Sequence, residues 1–90
     1  MSEERRETLR LDRVLVYLRF VRTRSLAQAL VEAGHMRVNG ERVAKCSREI
    51  SAGDVLTLAR SGDVVVARIE HLPRRGLAPA EAARSWTQLG

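Results

Sequence analysis

The runs LDRVLVYL at residues 11–18, LAQALVEAG at 26–34 and HMRVNGERV at 35–43 decide the fold. In the first, Leu11, Val14, Leu15 and Leu18 recur at i, i+3, i+4 and i+7, the stripe of a helix that buries one face. Asp12 falls in the first turn, where a carboxylate complements the helix dipole or partners nearby arginines. Val16 and Phe20 lie off that stripe and call for a second element to cover them. In the second run, Leu26, Ala27, Leu30 and Ala33 form the expected buried face, and Gly34 stops the helix in the C′ role. Thr23 is a candidate N-cap, and Ser25 with Gln28 offers an alternative capping box. In the third run the period drops to that of a strand. Residues 35–38 and 41–43 flank Asn39-Gly40, a pair that favours a type I′ hairpin turn because both central residues need φ > 0.

Outward from this centre, residues 44–49 read as a polar connector and Ser51-Ala52-Gly53-Asp54 as a turn. Val55–Ala59 and Val64–Ile69 are predicted strands joined across Ser61-Gly62-Asp63. After His71 come Pro73-Arg74-Arg75-Gly76 and a short predicted helix from Pro79 to Trp86, with proline at its start. The sequence divides into a flexible charged arm at 1–8, a domain at 9–70 and a tail with a short helix at 71–90. The order predicts an α+β fold, with two N-terminal helices packed at one end of a small, mainly antiparallel sheet of about four strands.

Composition narrows the class. A chain of 90 residues with 44% apolar content suits one domain with a modest core. The longest apolar run, Val14–Leu18, is far too short to span a bilayer, and the charged N-terminus lacks the apolar core of a signal peptide. No membrane partner and a cytoplasmic location are expected. The single Cys46 excludes an intramolecular disulfide, in keeping with a reducing compartment. His35, Cys46 and His71 show no ligand-type spacing, so neither a metal nor a cofactor is expected.

The formal charge is +5, and its distribution says more than its size. Residues 1–9 carry a net −1, residues 10–48 a net +6 and residues 49–90 a net of zero. An excess confined to one half is the footprint of a polyanion binder. Fifteen of the sixteen basic side chains are arginines, which grip phosphate with two parallel hydrogen bonds. The candidate residues are Arg10, Arg13, Arg19, Arg22, Thr23, Arg24, Ser25, Gln28, Arg37, Asn39, Lys45 and Ser47. Arg22 to Ser25 surround the start of the second helix, where free backbone N–H groups point outward and the dipole is positive. Arg13 and Arg19 lie off the buried stripe, which makes the first helix apolar inside and cationic outside. Asn39-Gly40 is turn chemistry before it is a binding feature.

In these residues the sequence resembles a known family. Residues 10–58 are similar to the S-four RNA-binding domain, named after small-subunit ribosomal protein four, whose core is the alpha-L motif. Arg10-Leu-Asp-Arg13, Thr23-Arg-Ser25, Arg37-Val-Asn-Gly40 and the pair Lys45/Ser47 match it in order and spacing. Over residues 9–86 the chain resembles the bacterial heat-shock protein fifteen group, through Tyr17-Leu-Arg-Phe-Val-Arg-Thr-Arg24 and Arg74-Arg75 with Ala80-Glu-Ala82. The resemblance implies RNA binding. Within the heat-shock group it implies a stress-response role on the large ribosomal subunit, on stalled subunits still holding peptidyl-tRNA. Position by position, it carries RNA contact onto Arg10, Arg13, Arg22, Thr23, Arg24, Arg37, Asn39 and Lys45. Cys46 stands where the family usually has proline, which leaves the connector less rigid, and the sequence ends at Gly90 without that group's long basic extension.

Single-strand readers stack bases on aromatic rings. Tyr17, Phe20 and Trp86 are the three aromatics, and none falls in a predicted strand, so the expectation is recognition of the shape and phosphates of folded RNA by a monomer. The rival classes are a helix-turn-helix DNA binder and a non-catalytic protein adaptor. A DNA-reading helix needs base-reading side chains along its exposed face, and the second helix offers mainly Gln28 and Glu32 there. Nonspecific DNA contact follows from the same charge. An enzyme is not expected, because no phosphate-cradling glycine loop and no nucleophile–base set is present.

Overall fold

The computed structural model describes residues 7–60 and 62–90. Residues 1–6, most of the expected arm, and Ser61 of the expected turn lie outside the described residues. A short strand, β1 (Leu9–Arg10), leads directly into helix α1 (Leu11–Tyr17). Leu11, Val14, Leu15 and Leu18 are all buried, so the periodic stripe is the inner face. Arg10 supplies no side-chain cap. Instead the first two helical N–H groups donate to the connector, Leu11 to the Arg48 carbonyl at 2.8 Å and Asp12 to that of Cys46 at 3.1 Å. These donors have no partner within the helix itself. The end of the same connector forms β4 (Glu49–Ile50), antiparallel to β1 with Leu9 opposite Ile50.

Helix α1 ends in a left-handed residue, Arg19, at φ 67°. Arg19 N–H donates to Val16 at 3.0 Å and Phe20 N–H to Leu15 at 2.9 Å, the paired bonds of a Schellman motif. The conformation costs a non-glycine residue about 1–2 kcal/mol. It turns the chain so that Phe20, off the stripe, is buried all the same.

Helix α2 (Arg24–Glu32) starts at Thr23, whose hydroxyl oxygen accepts from Leu26 N–H at 3.2 Å, so Thr23 is the cap. It ends in a second Schellman motif at Gly34, φ 80°, where glycine carries no penalty. Its buried face differs from the expected one. Ala27 and Val31 are buried and Leu30 is half-buried, whereas Leu26 is 50% exposed and Ala33 is exposed. Leu26 sits in the first turn, and the contact with α1 falls along the line through Ala27 and its i+4 neighbour Val31.

The main sheet has the antiparallel order β3-β2-β5-β6-β7, built from β2 (Met36–Val38), β3 (Glu41–Arg42), β5 (Val55–Arg60), β6 (Asp63–Ile69) and β7 (Trp86–Gln88). Its inner face joins buried residues across strands, Met36 opposite Leu58 and Leu56 opposite Ala67, in one core with the helices. The α+β class with two N-terminal helices is as expected, but the sheet has five strands because the tail adds β7. Trp86, expected at the end of the tail helix and outside any strand, is the first residue of β7 and pairs with Ile69. Helix α3 (Pro79–Arg84) stops before it. The Ser85 hydroxyl donates back to Glu81 at 2.9 Å, and the Ser85 carbonyl accepts from Glu70 and His71 at 2.8 and 3.1 Å. Those bonds hold the chain beside β6, where a strand follows. Trp86 then meets Phe20 edge-on, with ring centroids 4.9 Å apart.

Asn39 and Gly40 have φ of 53° and 85° and join β2 to β3 with Val38 opposite Glu41, as a type I′ turn requires. Nothing lies within 4 Å of a Cβ built on Gly40. Gly40→Val therefore tests backbone strain alone and is expected to cost about 1–2 kcal/mol. Thermal melts of the two proteins check this, and an unchanged midpoint would contradict it.

Candidate nucleic-acid interface

A buried carboxylate organises the cationic side of the helices. Asp12 has no exposed surface, yet two arginines reach it from the rim. Arg10 grips it with both fork nitrogens, Nε to Oδ1 at 3.1 Å and Nη2 to Oδ2 at 3.0 Å. Arg24 donates from Nη2 to Oδ2 at 3.3 Å. Burial pushes the Asp12 carboxyl up, but the hydrogen bond and charge of Arg10, joined by the charge of Arg24, outweigh it and hold it below its ordinary value. The hydrogen bond to Asp12 in turn raises Arg10. The side chains of Arg10 and Arg24 remain 40% and 55% exposed, so both are aimed by Asp12 while keeping outward surface.

The two arginines open onto different grooves. The larger, about 940 Å³, runs along the end of α1, the turn after it and the start of α2. Arg13, Arg19, Arg22, Thr23 and Arg24, all candidates from the sequence, line it together. Its opposite wall is the tail loop, which brings Arg75, Gly76 and Leu77. Arg19 joins the walls, its Nη2 donating to the Leu77 carbonyl at 3.1 Å. Among the described residues, five arginines and no carboxylate line this groove, and Val16, Tyr17, Val21 and Leu77 supply apolar surface between them. The smaller groove, about 310 Å³, gathers Arg10, Gln28, Lys45 and Ser47 from α1's threshold, α2 and the connector. It also contains Glu32, so its charge is mixed.

Three expected residues line neither groove. Ser25 is exposed in the first turn of α2. Arg37 is exposed on β2 and donates to the Gly40 carbonyl at 3.3 Å. Asn39 uses its side chain as a brace, with Oδ1 accepting from Val55 N–H at 2.9 Å and Nδ2 donating to Asp54 at 3.1 Å. Conversely, the sequence reading missed Tyr17 and Arg75 as groove residues. The basic pair Arg74-Arg75 was visible, but nothing local says that the tail loop returns opposite α1. Among the described residues no group of three His, Cys, Asp or Glu side chains could hold a metal ion, and no helix is long and apolar enough to cross a membrane.

Comparison with known proteins places this geometry. The S4 domain matches residues 9–56. The solved trimeric structure of Vibrio cholerae heat shock protein 15 superposes with a TM-score of 0.84 at 35% identity, covering 92% of this chain and 83% of that one. The RQC P-site tRNA stabilizing factor of Listeria innocua is 35% identical over 65 residues, 72% of this chain and 70% of that protein. The small ribosomal subunit protein uS4 of Citrifermentans bemidjiense is 39% identical over 71 residues, 76% of this chain. The chain spans only 34% of the length of that uS4.

Proposed function

The chain belongs to the S4-domain family, and from that premise we propose that it is a non-catalytic binder of structured ribosomal RNA. The observation that carries this reading is the groove beside the capped start of α2, lined by five arginines and no carboxylate among the described residues. Phosphates neutralised there release counterions, and base pairing need not be opened for the contact. Asp12, the buried acid, is committed to Arg10 and Arg24 and is not free for proton transfer. We assign the smaller groove with Arg10, Gln28, Lys45 and Ser47 to a second, flanking stretch of backbone. The RNA is that of the large ribosomal subunit, on particles that hold peptidyl-tRNA, in the cytoplasm. The likeness to heat shock protein 15 and to a factor named for stabilising P-site tRNA supports this finer reading. One copy suffices, because the chain's own tail completes the groove.

Two measurements test the proposal. Sedimentation of tagged protein with dissociated subunits is expected to place it with large subunits in preference to small ones. Even distribution leaves a general binder of structured RNA as the better description. Affinity for ribosomal RNA is expected to fall at least about tenfold between low and moderate salt, as several phosphate contacts require. A salt-independent affinity points to a protein partner instead.

A further inference from the structure

Five arginines would suffice as a phosphate rail on a flat surface, but this groove has a floor as well as a rim. Val16, Tyr17, Val21 and Leu77 are each half-buried and line the same space as the arginines. At about 940 Å³ it lies near the top of the ~300–1,000 Å³ range of clefts that enclose small organic molecules. A duplex backbone alone leaves such a floor unused, since its bases face inward. The second wall, the Arg75–Leu77 loop, lies outside residues 9–56 matched by the S4 domain. It is fixed by the Arg19–Leu77 bond and by the tail's return through β7.

From this we infer that the groove receives one unpaired nucleotide of the bound RNA, its base on the apolar floor beside Tyr17 and its flanking phosphates on Arg13, Arg22 and Arg75. Arg75 is thereby an RNA contact that the S4 portion of the chain does not supply. The chemistry is complementary on both counts, apolar ring against apolar floor and anionic linkage against a rim of arginines. One ring suits one extruded base within an otherwise folded RNA, whereas a reader of extended single strands needs a row of them. The inference rests on the proposed RNA-binding reading and adds what the RNA must present.

The test uses the full chain and three short RNA stems, one fully paired, one with a single bulged nucleotide, and one with an abasic residue in the bulge. The abasic stem keeps the backbone and its charge and removes only the base. The bulged stem is expected to bind tighter than the abasic one by about fivefold to a hundredfold, the range for stacking one base. Tyr17→Leu, which keeps apolar bulk, is expected to abolish most of that difference between the bulged and abasic stems. Arg75→Ala is expected to weaken the bulged stem more than the paired one. If all three stems bind wild type equally and Arg13→Ala weakens each alike, the nucleotide pocket is overturned and the RNA-binding reading stands. If none binds in a salt-dependent way, the RNA-binding reading itself falls.

Discussion

Changing Arg13, Arg22 and Arg24 together to alanine is expected to cut affinity for structured RNA at least about tenfold, the loss counterion release predicts for phosphate contacts. All three line the larger groove and all three are exposed. The Arg13 and Arg22 side chains are exposed, and the hydrogen bond of Arg13 to Asp12 comes from its backbone and survives the change to alanine, so their loss leaves the fold nearly untouched. Arg24 differs, because it is one of two arginine side chains paired with the buried Asp12 carboxylate among the described residues. Its pair is more than half exposed on the arginine side, which limits its contribution to the ~0–1 kcal/mol of a surface pair. Arg10 also keeps its two-pronged grip on Asp12 when Arg24 is gone. The triple variant should therefore melt only a few degrees lower. The matched control replaces Arg60, Arg68 and Arg84, which come from the electrically balanced half of the sequence. Both variants lose the same charge. If net charge alone drives binding, they weaken it equally, and titration of one RNA at one salt concentration distinguishes the cases. Equal losses with both proteins folded would remove the groove from the site while leaving RNA binding in place.

The second large effect is expected at Asp12. Asp12→Ala removes a fully buried acceptor of charge-assisted hydrogen bonds from two arginines. Hydrogen bonds to charged groups contribute about 1.5–3 kcal/mol each. Here both arginines can turn outward to water, so the expected loss of stability is about 2–3 kcal/mol in total. RNA affinity should fall too, because Arg10 and Arg24 are no longer held at the grooves they line. The pH dependence gives an independent check. The folded-state carboxyl lies below its ordinary value, so the unfolded chain takes up the proton first. The contribution of Asp12 is complete above the unfolded-state value near ~3.9. It is lost as pH falls through the folded-state value. Glu70, held low by the Thr87 hydroxyl and Arg68, has the same sign on the surface. The gap between wild-type and Asp12→Ala unfolding curves isolates Asp12, and it should close in acid. A gap that stays constant down to strongly acidic pH would show that the carboxylate's charge plays no part.

Much of this was legible because it is written locally. The stripe Leu11, Val14, Leu15, Leu18 has one inner face whatever packs on it. Asn39-Gly40 takes positive φ because of its own backbone, and Thr23 caps because its hydroxyl reaches a donor three residues on. The clustering of positive charge in residues 10–48 is a property of the sequence before any folding. From such features the α+β order, the helix pair and the cationic turn between the helices follow.

What the sequence left open depends on partners far away in the chain. The face expected for helix α2, Leu26, Ala27, Leu30 and Ala33, is rotated from the observed one, where Ala27 and Val31 are buried. Packing in the folded chain sets that rotation, because helical periodicity fixes a spacing but not an azimuth. Trp86 read as the end of a helix, and bonds from Glu70 and His71 to Ser85 placed it in a strand. Asn39 read as a turn residue with a share in binding, and Asp54 and Val55 claim its side chain. Arg75 belongs to a visible basic pair, but nothing local says where it lies in the fold. It lines the same groove as Arg13 only because β7 returns the tail to the sheet and Arg19, in a strained left-handed turn, holds Leu77. Sequence determined the helices, the turns and the charge of one wall. Tertiary structure supplied the second wall, because closing a groove takes contacts between segments more than fifty residues apart, and no local pattern encodes where such segments meet.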